Sequence, residues 1–148
     1  MRTVTCDIEI DTTKEQIIHS FTNAEMLKGW WGVEKSCIDL KPGGIYALAW
    51  GLSEAGMRYI STGIIKDYEK ESILHIGDYM YLSTERPFLG PLSLIIETTA
   101  TANGASLHLQ QGPYPKDVSE DWEWYYNVVS EAWPKVLLEL KNYLENEV

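Results

Sequence analysis

The sequence predicts an α+β domain in which an antiparallel β-sheet of about six to seven strands packs against one long C-terminal α-helix, with two short helices after the first strand. Residues 120–145 carry large apolar side chains every three or four positions, which is the spacing of a helix. The preceding segments alternate apolar and polar residues between turn signals, as strands in hairpins do. Only the C-terminal helix is long and apolar enough to cover one face of such a sheet.

The C-terminal helix is predicted over residues 120–145. Its main apolar stripe contains Trp122, Tyr126, Val129, Trp133, Leu137, Leu140 and Leu144, and a second set off that stripe contains Trp124, Tyr125, Val128 and Leu138. Asp117 and Ser119 precede the helix and can cap its free N–H groups. Pro134 lacks an N–H group and crowds the carbonyl of Ser130. We expect a kink there rather than two helices, because the stripe keeps its phase across the proline.

The N-terminal segment is predicted to form one strand and two short helices. Residues 3–10 alternate and place Val4, Cys6, Ile8 and Ile10 on one face. Residues 11–16 resemble a capping box and open a helix that extends to Phe21. Thr22 and Asn23 recap the chain, and a second helix over residues 24–30 ends at Gly32.

Six further strands are predicted, joined in hairpin order. They cover residues 34–40, 45–50, 57–68, 72–82, 93–101 and 105–111. Lys41-Pro42-Gly43-Gly44 and Asn103-Gly104 are turn sequences, and Asn-Gly is a strong hairpin signal. Residues 83–91 contain two prolines and are predicted to be a loop.

Length and charge limit the function classes. At 148 residues with 45% hydrophobic content, the chain fits a single domain over residues 1–148. A net charge of −10 disfavours nucleic acid and anionic membranes as partners. No apolar run is long enough to cross a membrane, and the N-terminus does not resemble a signal peptide. The spacing of Cys6 and Cys37 matches no cysteine motif, so we expect both to be reduced thiols in a cytoplasmic protein without a cofactor.

Four stretches together carry a resemblance to a known family. Residues 8–21 resemble the family's opening strand and capped helix, and "LKGWWG" at 27–32 resembles its double-tryptophan stretch. The segments "PGGIY" at 42–46 and "GIIKDY" at 63–68 resemble its strand-turn pattern. The segment "EAWPKVLLELKNYL" at 131–144 resembles its closing helix. The order is similar to the helix-grip fold of START-like (SRPBCC) domains. Within it, the match is to the AHSA-type branch, related to the C-terminal domain of the heat-shock chaperone ATPase activator. The chain departs from that pattern at Pro134 and at the residue before Trp133, which is commonly glycine in the family.

The resemblance implies that a curved sheet and the long helix enclose a cavity. The residues expected to line or close it are Trp30, Trp31, Trp50, Tyr59, Tyr79, Tyr81, Ile96, His108, Trp122 and Tyr126. The assignment of faces follows from alternation, and a shift of one residue would reverse it. In the alternative, these rings fill the space and leave no hole. Trp30 and Trp31 would then attach the short helices to the sheet instead of forming a lid.

Two functions of different classes are compatible with these features. The first is non-enzymatic binding of a small apolar or aromatic ligand in the cavity. The second is a protein-interaction domain that contacts a chaperone or a second copy through an exposed apolar patch. A weaker, enzymatic alternative uses His108 as a general base in cyclase-like chemistry. His19, His75 and His108 have no partners at metal-ligand spacing, so no metal site is expected.

Overall fold

The computed structural model describes residues 1–146 and confirms the predicted α+β class. The elements in chain order are β1 (Arg2–Ile10), α1 (Lys14–Ser20), α2 (Ala24–Trp31), β2 (Lys35–Ile38), β3 (Ile45–Ser53), β4 (Gly56–Glu69), β5 (Ile73–Ser83), β6 (Leu89–Thr101), β7 (Gly104–Tyr114) and α3 (Glu120–Asn146). The seven strands form one antiparallel sheet in the order β1-β7-β6-β5-β4-β3-β2. This is the helix-grip fold.

Hairpin connections explain most of this order. Strands β2 to β7 follow one another both in sequence and in space, as the turn signals predicted. Strand β1 instead pairs with β7, for example Ile8 opposite Leu107, because the two short helices carry the chain to the opposite edge before β2 begins. Several predicted boundaries are wrong. Strand β2 is shorter than predicted, and β6 begins at Leu89, inside the predicted proline loop. Strands β3 and β7 end at Ser53 and Tyr114, beyond their predicted ends.

The two short helices have the predicted caps. The Thr13 side chain accepts a hydrogen bond from the Gln16 backbone N–H at 3.1 Å, and the Asn23 side chain accepts one from Met26 at 3.0 Å. Gly32 ends α2 in the left-handed conformation at φ 72°, which favours glycine. These caps fix where α1 and α2 begin and end, and therefore how Trp30 and Trp31 reach the core.

Helix α3 continues without interruption past Pro134. The buried face of its N-terminal half differs from the predicted stripe. Trp133, Leu137, Leu140 and Leu144 are buried, as the stripe predicts. In the N-terminal half, Tyr125 is buried, whereas Trp122 and Tyr126 are only partly buried. In this half of the helix, a residue off the predicted main stripe is therefore buried more deeply than the stripe residues beside it.

Polar contacts hold both ends of α3 against β1. The Arg2 guanidinium donates to both Glu123 carboxylate oxygens, at 2.7 and 3.1 Å, and lies 4.0 Å from the centre of the Tyr126 ring. At the other end, the Lys141 ammonium donates to the Glu9 carbonyl at 2.8 Å. Within residues 1–146, no helix combines the length and apolarity needed to cross a membrane.

Candidate functional site

A cleft of about 240 Å³ lies between the N-terminal half of α3 and the inner face of the sheet. It is partly open to solvent. Its lining contains four tryptophans and three tyrosines among Trp31, Trp50, Ser61, Tyr79, Tyr81, Gln111, Trp124, Tyr125, Val128, Val129, Ala132, Trp133 and Val136. The cleft is therefore bounded mainly by aromatic rings and by short apolar side chains of α3.

An irregularity in β5 points two of these tyrosines into the cleft. Before it, Leu74 and Ile76 are the inward residues, so strict alternation would turn Tyr79 and Tyr81 outward. The pairing of β5 shifts register with β6 between Ile76 and Tyr79, and with β4 between Gly77 and Met80. Asp78, within this stretch, has a φ of 49°. An extra residue at a bulge reverses the alternation beyond it. Tyr79 and Tyr81 consequently face α3.

Stacked and edge-on rings form one wall of the cleft. The Trp31 ring stacks on Trp30, with centroids 5.1 Å apart, and contacts Trp50 at 5.3 Å and Trp133 at 5.2 Å. Trp30 is held in turn by a hydrogen bond from its indole nitrogen to the Ser20 carbonyl at 2.9 Å. This wall links α2, the sheet and α3, so its flat surfaces are fixed by the fold.

A chain of hydrogen bonds lies at the buried base of the cleft. The Trp133 indole Nε1 donates to Gln111 Oε1 at 2.7 Å, and Gln111 Nε2 donates to the Tyr125 hydroxyl oxygen at 3.1 Å. Gln111 is only 3% exposed, so both bonds lie away from water. A buried amide needs such partners because leaving it unpaired costs about 1–3 kcal/mol. The chain fixes the rotamers of all three residues.

The cleft lining carries no charged side chain at neutral pH. Its residues are apolar, hydroxyl-bearing or amide-bearing, and burial raises the pKa values of its tyrosines. Burial raises the pKa of Tyr79 to about 12, against a smaller opposing effect of a hydrogen bond with Ser61. At the edge of the cleft, the Arg86 guanidinium lies 3.7 Å from the centre of the Trp124 ring and pairs with Asp121 at 2.8 Å. The cleft is thus electrically neutral.

The structure brings together four of the ten residues predicted from the sequence. Trp31, Trp50, Tyr79 and Tyr81 line the cleft. Trp30 forms a second layer behind Trp31, and Ile96 is fully buried in the core. The remaining four are placed elsewhere: Trp122 and Tyr126 pack on Tyr114, while Tyr59 and His108 lie away from the cleft lining.

The expected inward position of His108 is wrong. In β7 the inward residues are Leu107, Leu109 and Gln111, so His108 faces the opposite side of the sheet. There its Nδ1 atom lies 2.6 Å from the Asp7 carboxylate, with 41% of its side chain exposed. Tyr59 lies near the β3–β4 turn, where the guanidinium carbon of Arg58 is 5.3 Å from the centre of the Tyr59 ring. The general-base hypothesis for His108 inside a cavity therefore loses its geometric basis.

Several lining residues were missed by sequence reasoning. Gln111 and Ser61 are polar residues at inward strand positions, and strict alternation with Leu107 and Leu109 was the signal for Gln111. The cleft lining predicted from the sequence also omitted Tyr125, Trp133 and the short apolar residues of α3. Within the described part of the chain, no three histidine, cysteine or acidic side chains are grouped to hold a metal ion.

The fold and this cleft define a START-like helix-grip domain with an aromatic site under its C-terminal helix. The chain belongs to the family described as activator of Hsp90 ATPase homolog 1-like proteins, whose pattern matches residues 11–145. This confirms the AHSA-type assignment. The sequence matches no curated protein.

Solved structures agree on the fold at low sequence identity. Protein MLL2253 from Mesorhizobium loti superposes with a TM-score of 0.76 at 18% identity, covering 99% of both chains. The Aha1 dimer from Colwellia psychrerythraea superposes with a TM-score of 0.73 at 13% identity, covering 99% of this chain and 98% of that chain. CalU16 from Micromonospora echinospora superposes with a TM-score of 0.71 at 16% identity, covering 99% of this chain and 76% of that chain. These likenesses establish architecture, and function depends on the site.

Proposed function

We propose that this domain binds a small, flat apolar or aromatic molecule in the cleft under α3 and leaves it chemically unchanged. The observation that carries the proposal is the cleft of about 240 Å³ walled by four tryptophans and three tyrosines. Fixed aromatic surfaces that are partly open to solvent favour a planar guest, since stacking and apolar burial both contribute. The volume suits a molecule of one or two fused rings.

Intrinsic fluorescence provides a direct test, because four of the six tryptophans line the cleft. Naphthalene is a suitable neutral probe. At about 0.6 kcal/mol per heavy atom, its dissociation constant would be on the order of 10–100 µM. Recovery of the probe unaltered, checked by mass spectrometry, is expected of a binder. Conversion of the probe would contradict the non-enzymatic part of the proposal.

A matched pair of variants locates the binding. Ala132→Phe adds a ring inside the cleft and should abolish fluorescence quenching by naphthalene. Leu138→Phe places a ring on the exposed side of the same helix and should leave the affinity unchanged. Equal binding by the wild type and Ala132→Phe would show that the probe binds elsewhere and would refute the proposal.

A second candidate role is self-association through the outer face of the sheet. A groove of about 360 Å³ there is lined mainly by apolar residues of β3, β4 and β5, among them Ile60, Leu82 and the exposed Met57. Three residues of β2, including Lys35, complete its lining. One structural neighbour is described as a dimer in solution, which supports a second copy as the occupant.

Sedimentation velocity tests this role. If the groove is a dimer interface, Ile60→Lys should yield monomers, whereas Thr5→Lys, a charge added to exposed β1, should not. A wild-type protein that stays monomeric at high concentration would remove the candidate. Stimulation of Hsp90 ATPase turnover that Ile60→Lys abolishes would instead assign the groove to a chaperone.

A further inference from the structure

The direction of the buried hydrogen-bond chain is fixed by chemistry. An indole N–H can only donate, so the Gln111 side chain must present its carbonyl oxygen to Trp133. The amide group of Gln111 therefore faces Tyr125 and donates to its hydroxyl oxygen. The opposite amide orientation would place two donors against each other at the Trp133 end. The Tyr125 hydroxyl thus acts as acceptor within the chain, and its own proton is left over.

This proton has no acceptor among the described residues. Within residues 1–146, the Tyr125 side chain makes only one hydrogen bond, the one that its hydroxyl oxygen receives from Gln111. The Tyr114 ring lies 5.3 Å from the Tyr125 ring, but its hydroxyl has no hydrogen-bond partner of its own. Tyr125 is buried and lines the cleft. The base of the cleft consequently offers a donor held in place by a three-residue chain.

The charges around the cleft restrict what can use this donor. The lining is neutral, and Arg86 at the edge is already paired with Asp121 at 2.8 Å. Transferring an anion or a cation into such surroundings without a partner is strongly unfavourable. The net charge of −10 further disfavours approach of an anion. A neutral molecule with a hydrogen-bond acceptor meets these conditions.

We infer that the cleft selects neutral, flat aromatic molecules that carry a carbonyl-type acceptor, and that the Tyr125 hydroxyl donates a hydrogen bond to that acceptor. This inference rests on the proposed function, since it names the ligand class of the same cleft. The aromatic walls hold the rings, and the Trp133–Gln111–Tyr125 chain orients the donor. Selectivity then comes from one hydrogen bond and from the absence of any charge partner.

Three probes of nearly equal shape separate these effects. They are 2-acetylnaphthalene, 2-isopropenylnaphthalene and 2-naphthoate, which present a carbonyl, an alkene and a carboxylate at the same position. Tyr125→Phe should weaken binding of the ketone about 2- to 12-fold, the usual range for one net hydrogen bond. The same substitution should leave the affinity for the alkene unchanged. Comparing the two changes cancels the difference in hydration between the probes.

The control and a spectroscopic readout complete the test. Tyr126→Phe, one position along α3 and outside the cleft lining, should alter neither affinity. The carbonyl stretch of the bound ketone should lie at a lower frequency in the wild type than in Tyr125→Phe, and 2-naphthoate should bind at least ~100-fold more weakly than the ketone. If no probe binds, the proposed function itself fails. If the probes bind but Tyr125→Phe affects ketone and alkene equally, or naphthoate binds as well as the ketone, only this inference is overturned.

Discussion

Two fully buried tyrosines should respond in opposite directions to loss of the hydroxyl group. Tyr46 and Tyr114 are both 0% exposed. The Tyr46 hydroxyl donates to the Phe21 carbonyl at 2.6 Å, whereas the Tyr114 hydroxyl has no hydrogen-bond partner among the described residues. Substitution by phenylalanine makes the same change of volume at each position. The pair therefore isolates the contribution of hydrogen bonding to stability.

The expected magnitudes follow from the two environments. Tyr46→Phe removes a buried hydrogen bond and strands the Phe21 carbonyl, which should lower the free energy of unfolding by about 1–2 kcal/mol. Tyr114→Phe removes an unpaired polar group from an aromatic cluster and should raise that free energy by about 1–3 kcal/mol. For a domain of 148 residues, the two melting temperatures should then differ by about 5–15 °C.

Urea unfolding followed by far-UV circular dichroism measures both free energies. Equal m-values for the two variants would establish that the same surface is exposed on unfolding and that the comparison is valid. The reasoning is refuted if Tyr114→Phe loses as much stability as Tyr46→Phe. That result would mean that the Tyr114 hydroxyl is satisfied in the folded protein.

Three further predictions concern the same core. Gln111→Met removes the amide between Trp133 and Tyr125, and should lower the free energy of unfolding by about 2–4 kcal/mol in urea titrations, because it strands a buried indole N–H. Gly63→Ala should destabilise by at least ~1 kcal/mol and lower the melting temperature, since an added Cβ would lie 2.9 Å from the Gly77 carbonyl oxygen. Burial raises the pKa of Tyr79 to about 12, so its neutral form is favoured in the folded state. The contribution of Tyr79 to stability should therefore be complete below pH 10 and fall as the pH rises toward 12, which urea unfolding at a series of pH values measures.

Local signals in the sequence predicted most of the fold, because each one acts over a few residues. The Thr13 and Asn23 caps, Gly32 at the end of α2 and the Asn103-Gly104 turn all have the predicted roles. A cap or a tight turn depends on hydrogen bonds and dihedral angles within one segment, so distant contacts seldom override it. The pairing of β1 with β7 depends instead on the path of the whole chain, and no local signal predicted it.

The buried face of α3 shows a limit of periodicity. The pattern placed Tyr126 on the main apolar stripe and Tyr125 off it, yet Tyr125 is the more deeply buried of the two and is hydrogen-bonded at the base of the cleft. Adjacent helical residues point about 100° apart, so a small rotation of the helix exchanges them. Arg2 lies over the Tyr126 ring and pairs with Glu123, which holds that side of the helix against β1. A contact between residues more than 120 positions apart thus decides which tyrosine faces the site.

The cleft forms where the regular patterns are interrupted, and this explains why its residues were harder to predict than the core. The register shift before Tyr79 reverses which face of the sheet the later side chains of β5 point to. A second shift, between Arg2 and Val4 in the pairing of β1 with β7, allows both Gln111 and Tyr114 to be buried. Alternation predicts regular strands, which pack their side chains to density and leave no space. A bulge redirects side chains and bends the strand, so it can open a gap and turn polar groups toward it. In this protein, the features that defeat prediction from periodicity are therefore the same features that create the cleft under α3.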